Sequence, residues 1–388
     1  MTRRDAAAPT QSLSGAPSAR LLQVMQAACA SEGGWWGFER FMAAALYTPG
    51  LGYYSGPRHP LGLMPADGSD FVTAPELSGL FGQALARQVA QALATTGTRT
   101  VVEFGAGSGA LAAQLLQALG SAVDCYDIID LSGPLRARQA QRLAPFGERV
   151  RWLDAWPEEL RGVVVGNEVL DAMPVALLRW DGQQWWERGV VANADGWEWA
   201  DRPTDRRPPV EGRTPQPQED GEMAWAQRFV PDTVVEIHPQ AEAFMRSLAQ
   251  RLKHGAAFFI DYGFPEHEYY HPQRTGGTLM CHQAHRSDAN PLVDVGLKDI
   301  TAHVNFTGVA LAAQDAGLSV LGYTSQARFL FNCGLTDLMA QADIPTRAAA
   351  ARLVHEHEMG ELFKVLGVAA GDGFDAIGFV QGDRSHTL

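Results

Sequence analysis

The sequence predicts an α/β chain built on a mostly parallel sheet covered by helices on both faces. Two observations carry this expectation. From residue 99 onward, short and nearly continuous apolar runs alternate with helical patterns: "RTVVEF", "AVDCYDIID", "PLRARQAQRL", "RVRWLD" and "RGVVVGNE" follow one another in a βαβα rhythm. Strands of that kind are buried on both faces, as crossover helices require. The first strand also runs straight into a glycine-rich turn and an apolar helix in "VVEFGAGSGALAAQLL", the strand–turn–helix signature of a nucleotide-type cofactor loop.

The elements can be justified in order. Residues 1–18, rich in Ala, Ser and Pro, read as a disordered tail; with few acids they also resemble a weak mitochondrial transit peptide. Leu21, Leu22, Met25 and Cys29 recur at helical spacing, and "GFERFMAAALYTPG" repeats the pattern before Pro49 and Gly50 stop it. A long Gly/Pro loop feeds a further helix from about residue 75, so residues 19–97 form a helical N-terminal cap region ahead of the core. The core spans 98–388. Within it "VALLRW", "QQWWERGVVA" and "WEWA" read as hairpin strands turning at Asp181-Gly182 and Asp195-Gly196. A proline-rich insertion follows at about 200–222. "DTVVEIHPQ", a helix to about Lys253 and "AAFFIDYG" resume the core. A helical substrate-side subdomain is expected at about 265–360, and "DAIGFVQ" reads as the last strand.

The totals exclude several functions. With 388 residues, 46% hydrophobic and 19% charged, the chain has the composition of a soluble enzyme, and it has no apolar run long enough for a bilayer span. A net charge of −13 opposes nucleic-acid binding, which needs clustered Lys and Arg. The cysteines at 29, 125, 281 and 333 form no C-x-x-C pair, and the paired histidines lack a further ligand set, so no metal site is expected. The cytoplasm is the expected compartment, or the mitochondrial matrix if the N-terminus is a transit peptide.

Residues outside the glycine loop bear on the cofactor. Gly105, Gly107 and Ala110 fit the dinucleotide fingerprint, yet Gly105, Gly107 and Gly109 fit the loop of S-adenosylmethionine (SAM) enzymes as well. Glu103, two residues before the loop, would repel a pyrophosphate and suits the ammonium and sulfonium of SAM. Asp130 ends the second strand, where an acid accepts ribose hydroxyls in either class of enzyme. Asp154, Ala155 and Trp156 end the third strand where an adenine could find an acceptor and an apolar face, Trp156 reading equally as core, and after Asn167 the fourth strand adds two carboxylates, Glu168 and Asp171. These residues favour SAM; on them alone NAD stays open.

The segments "FMAAALYTPGLGYYS", "GSDFVTAPELSGLFGQ", "VVEFGAGSGALAAQLL", "LRARQAQRL", "VVGNEVLDAMPV", "IDYGF" and "DITAHVNFTGVA" resemble the MidA-like family of SAM-dependent methyltransferases, in order, from about residue 35 to the C-terminus. That family includes a mitochondrial complex I assembly factor that dimethylates an arginine of a core subunit. The resemblance implies a class I SAM-methyltransferase (Rossmann-like) sheet with "DFVTAPE" folded over the cofactor. It also implies S-adenosyl-L-methionine as donor, leaving S-adenosyl-L-homocysteine, and a protein arginine as acceptor, with a respiratory-complex subunit as one candidate. The reading leaves room for a homodimer. The implied cofactor residues are Phe71, Thr73, Glu103, Gly105, Ala106, Gly107, Gly109, Asp130, Leu131, Asp154, Ala155, Asn167 and Glu168. Ala106 and Asp130 replace the family's usual proline and glutamate, mild changes that should preserve binding. For chemistry, Glu168, Asp171 and His303 are the candidates: Glu168 to grip a guanidinium, Asp171 to assist it or shape the loop, His303 to order the site or take a proton. Each has an alternative, as cofactor ligand, helix cap or buried core histidine respectively. Asp261 and Tyr262 either line the cleft or stabilise its loops, and Thr73 and Glu76 either touch the cofactor or start a helix. A SAM-binding assembly factor with little turnover stands as the alternative function.

Overall fold

The computed structural model describes residues 16–56, 70, 72–194, 196–209 and 229–388. The expected tail as far as residue 15, Phe71, Asp195 and most of the proline-rich insertion lie outside the described residues.

The N-terminal part holds α1 (Ala16–Ser31), β1 (Trp36–Gly37), α2 (Phe38–Tyr47), α3 (Ala74–Leu77) and α4 (Gly79–Thr96). Thr73 precedes the Ala-Pro start of α3, and Ser78 caps α4 by accepting the Leu80 N–H. The alternating unit follows as β2 (Thr100–Phe104), α5 (Ala110–Leu119), β3 (Cys125–Ile129), α6 (Gly133–Leu143), β4 (Val150–Leu153) and β5 (Leu160–Asn167). An antiparallel insertion comes next, β6 (Ala176–Trp180), β7 (Trp185–Asn193), β8 (Gly196–Pro203) and β9 (Val234–Ile237), before α7 (Pro239–Arg251) and β10 (Leu252–Phe264) return to the core. The remainder is α8 (Glu266–Tyr269), β11 (Met280–Gln283), β12 (Arg286–Asp288), β13 (Asp299–Thr301), β14 (Val304–Asn305), α9 (Phe306–Asp315), β15 (Leu318–Ser325), α10 (Gln326–Asn332), α11 (Leu335–Gln341), α12 (Ile344–Val354) and β16 (Phe363–Ala370).

The main sheet runs β15-β16-β10-β5-β2-β3-β4, with β14 beside the end of β10. Pairing is parallel from β10 through β5, β2, β3 and β4, and β16 runs antiparallel to both β10 and β15. The near-continuous apolar strands have the expected consequence. In β5, Val163 and Val165 pack into the core under α4 and α5, while Val164 packs into the opposite core with Met245 of α7 and Phe306 and Val309 of α9.

The chain departs from the sequence expectations in three places. The cap is not a separate layer: β1 pairs with β7 of the insertion, and Trp36, Phe41 and Trp197 share one apolar cluster, so α1, β1 and α2 fold with the hairpins, whereas α4 packs into the main core beside α5. Residues 265–360, expected to be helical, contain the small sheet β12-β11-β13 and the core strand β15. Strands of three or four residues are too short to display a period of two, which explains the miss. The last strand is β16, not "DAIGFVQ", whose Ile377–Phe379 turn covers the sheet instead. Phe379 lies over Gly322 and Gly367, and the Ile377 and Gly378 N–H groups donate to Gln91 and Gln88 of α4. Of the hairpin tryptophans, Trp180, Trp185 and Trp197 are buried, and Trp199 is 37% exposed. Among the described residues, no helix is long and apolar enough to cross a membrane.

A glycine lets β10 approach β5. Gly255 has φ +139°, and a Cβ there would stand 1.8 Å from the Gly162 carbonyl oxygen. Gly255→Ala is therefore expected to destabilise the protein by about 3 kcal/mol or more, read as a lower midpoint in chemical denaturation.

Candidate active site

The site begins where β5 ends. Its chain leaves the sheet through Glu168, a non-glycine residue at φ +54°, whose N–H donates to the Ile260 carbonyl at 2.9 Å. The next three N–H groups, of Val169, Leu170 and Asp171, all donate to Oδ2 of Asp261 on neighbouring β10, at 3.1, 2.9 and 3.2 Å. Asp261 is 1% exposed. Buried N–H groups need partners, so one carboxylate oxygen decides the path of this turn and directs Asn167 and Glu168 into the cleft. Asn167 Nδ2 donates to Glu168 Oε1 at 2.9 Å, restricting that side chain.

The opposite side is the glycine loop between β2 and α5. Gly105, Gly107 and Gly109 all have positive φ, which glycine alone adopts without strain, and the Gly105 N–H donates to Ile129 at 3.0 Å. Gly109 faces α6, where an added Cβ would meet Gln139 at 3.4 Å. Gln139 in turn donates to the Gly107 carbonyl and to Asp130 Oδ2, at 2.9 and 2.7 Å, and Ser132 N–H donates to Asp130 Oδ1 at 2.8 Å. Asp130 is thereby aimed at the end of β3. Glu76 does not reach the cavity; it accepts from Ser108 of the loop and from Arg142 Nη1 of α6.

Between these walls lies a cavity of about 880 Å³, at the large end of small-molecule sites. Of the sequence candidates, Thr73, Glu103, Gly105, Ala106, Gly107, Asp130, Leu131, Ala155, Asn167 and Glu168 line it. Trp156 lines it too, packed on Phe104 and Phe244. Four candidates lie off its wall. Gly109 packs helices. Asp154 is turned to solvent in an ion pair with Arg136 at 2.6 Å. Asp171 sits behind Glu168 and accepts a hydrogen bond from Tyr262. His303 lies further back, stacked on Phe264 and edge-on to Tyr262. The sequence did not reveal Tyr47 and Tyr54 beyond α1, nor the α7 residues Gln240, Ala243, Phe244, Ser247 and Arg251 that make a whole wall. Their 3-1-3-4 spacing along one helix face is visible, but in a core helix such a stripe reads as packing.

The electrostatics are dominated by buried acids. Burial pushes Glu103 up to about 8, against the opposing hydrogen bond from the Tyr126 hydroxyl at 2.7 Å. Burial, then the Asp171 carboxyl, pushes Glu168 up to about 8, and burial raises Asp171 to about 6. Asp261 and Asp299 are raised as well, first by burial and next by Asp171; the N–H donors of the turn oppose this at Asp261. Oδ1 of both Asn167 and Asp171 is buried without a hydrogen-bond partner among the described residues. Such a cluster is poised to take a cationic, donor-rich ligand. His303 is held near 4 by burial and by nearby Arg274 and Lys364, so its ring is neutral at pH 7.

Two tests follow from this geometry. Glu103 keeps its proton in the folded state up to about pH 8, whereas the unfolded chain releases it near the ordinary 4.5, so its contribution to stability falls as pH rises across that window. Glu103→Gln should raise the melting temperature of the ligand-free protein by several degrees at pH 8 and little at pH 5. Asp261→Ala leaves three N–H groups unpaired, and should cost about 3 kcal/mol in unfolding experiments while abolishing the activity of the site.

Comparisons with known proteins agree with this architecture. Residues 84–324 match the family model described as "Putative S-adenosyl-L-methionine-dependent methyltransferase". A crystallised protein from Burkholderia thailandensis bound to S-adenosyl-homocysteine is 50% identical, with a TM-score of 0.87 over 96% of this chain and 97% of that one. The protein arginine methyltransferase NDUFAF7, mitochondrial, of Danio rerio is 26% identical over 84% of this chain and 82% of its own length. Its Homo sapiens counterpart is 28% identical over 76% and 69%. With the glycine loop, the acids at the strand ends and these matches together, the chain belongs to that family of S-adenosyl-L-methionine-dependent methyltransferases.

Proposed function

We propose that the protein transfers methyl groups from SAM to the guanidinium of an arginine in a protein substrate. The observation that carries this reading is the acidic wall: Glu168 on the cavity, with Asp171, Asp261 and Asp299 behind it and the Asn167 and Asp171 oxygens lacking donors. A guanidinium offers five N–H donors and one delocalised charge in a plane, a better complement than the single ammonium of lysine. The relatives named protein arginine methyltransferases, at 26–28% identity, point the same way.

The residues would divide the work as follows. Gly105 and Gly107 let the backbone close on the donor, Asp130 accepts the ribose hydroxyls, and Ala155, Trp156 and Leu131 enclose the adenine. Glu103 receives the ammonium. When bound, SAM supplies a methyl group already activated by the sulfonium, so the protein's task is alignment in a dry site. Glu168, as carboxylate, pairs with two guanidinium N–H groups and concentrates positive charge there, leaving electron density on the third nitrogen. That nitrogen forms the N–CH₃ bond as the S–CH₃ bond breaks and its electron pair returns to sulfur. Attack by a nitrogen of the cationic guanidinium would leave two positive charges on the product, so the proton on that nitrogen has to leave in every transfer, and Glu168, whose pKa burial raises, is the carboxylate placed to accept it. Tyr262 holds Asp171 in place, and neutral His303 supports Tyr262 from behind.

Labelled methyl transfer from SAM into a lysate lacking the protein, followed by mapping of the label, tests the acceptor. Label on arginine is expected; label on lysine or on small molecules overturns the assignment. Glu168→Gln should keep S-adenosylhomocysteine affinity within a few-fold and lower methyl transfer by about 100-fold. Unchanged transfer would remove Glu168 from its role.

A further inference from the structure

A surface turn remote from the glycine loop carries strain that its own sequence does not require. Strands β11 and β12 are joined by Ala284-His285, with Gln283 paired to Arg286, and both turn residues adopt left-handed backbone, at φ +50° and +58°. Two-residue turns of this kind ordinarily use Asn-Gly or Gly-Gly, because a side chain at positive φ is strained. Ala and His are both exposed here, so burial does not explain them.

The backbone of the turn does explain them. Its two successive N–H groups end on one residue: Ala284 N–H donates to Oδ1 of Asp70 at 2.7 Å, and His285 N–H to the Asp70 carbonyl at 2.9 Å. Oδ2 of the same carboxylate accepts the Tyr53 hydroxyl at 2.8 Å, and Asp70 is 2% exposed. Three residues on, Thr73 reaches the cavity wall, followed by Pro75. The segment is held again at Glu76, by Ser108 of the glycine loop and Arg142 of α6. Residues Thr73 and Pro75 thus face the cavity between two fixed ends.

We propose that Asp70 is a positioning residue for the cofactor: through the strained Ala284-His285 turn it fixes the segment that carries Thr73 and Pro75 against bound SAM. The inference rests on the glycine-loop end of the cavity holding the cofactor, and is independent of the acceptor. Fixing that segment in advance removes an ordering cost from binding. By linkage, cofactor binding must tighten the turn by as much as the turn favours the cofactor.

Calorimetry with S-adenosylhomocysteine and steady-state kinetics on the full chain test it. Asp70→Ala should raise both the Kd for S-adenosylhomocysteine and the KM for SAM about tenfold, with kcat at saturating SAM within about threefold. Asp70→Asn, whose amide oxygen can still accept from Ala284 and whose NH₂ can donate to Tyr53, should restore both to within about threefold. A folded Asp70→Ala protein with unchanged affinity, or with a lower kcat at constant KM, overturns the proposal. If Asp70→Ala fails to fold, amide exchange in the unaltered protein decides. The Ala284 and His285 amides should exchange about tenfold more slowly with S-adenosylhomocysteine bound, and equal rates overturn it. Failure of arginine labelling with these results intact would discard the acceptor and leave the positioning role standing.

Discussion

One carboxylate oxygen organises the catalytic side of this protein. Oδ2 of Asp261 receives the N–H groups of Val169, Leu170 and Asp171, and so bends the chain sharply as it leaves β5. Without that acceptor, three buried donors would need other partners, and the turn has no reason to hold Glu168 in left-handed backbone. With it, Asn167 and Glu168 face the glycine loop across the cavity, and Ala172, Met173 and Pro174 continue the same wall. The parallel pairing of β5 with β10 sets the register that brings Asp261 level with this turn, so the site depends on the sheet through a single side chain.

The price of the arrangement is a concentration of acids in a small volume. Asp171 lies close enough to Glu168, Asp261 and Asp299 to raise all three, and burial denies the four of them water. Tyrosines moderate this without adding charge: Tyr54 donates to Asp299, Tyr126 to Glu103 and Tyr262 to Asp171. The ligand-free site is therefore destabilised relative to the rest of the fold, and a cationic ligand restores the missing partners. Stability surrendered at a site in this way is common where binding has to be both strong and selective.

Much of this was legible in the chain itself. The βαβα rhythm announced the sheet, and residues at consecutive strand ends, Glu103, Asp130 and Asn167-Glu168, were identified as neighbours because parallel strands share one ligand-binding edge. What stayed hidden came from chain crossings. Asp261 is one of two residues that the sequence reads as lining the cleft or stabilising its loops, but the turn it holds lies about 90 residues away, and Asp70 lies more than 200 from the turn it clasps. The same blindness affected His303 and Asp171: the sequence left open whether they take part in the chemistry or only support it, and the fold stands them in rows behind Glu168. Strands as short as β11 to β13 left no periodic trace, and the α7 stripe looked like core because half of that helix is core.

The sequence by itself thus determined the parallel sheet and the glycine-loop edge of the cavity, since apolar periodicity and strand-end residues are local properties that a parallel sheet converts directly into geometry. Only the tertiary structure decided which acids face the cavity and which support them, what encloses the opposite wall, and what holds Asp70 and Glu76 on either side of Thr73 and Pro75. Those outcomes depend on the hydrogen-bond partners available to buried N–H groups and carboxylates, and such partners become neighbours only after distant strands and loops have packed.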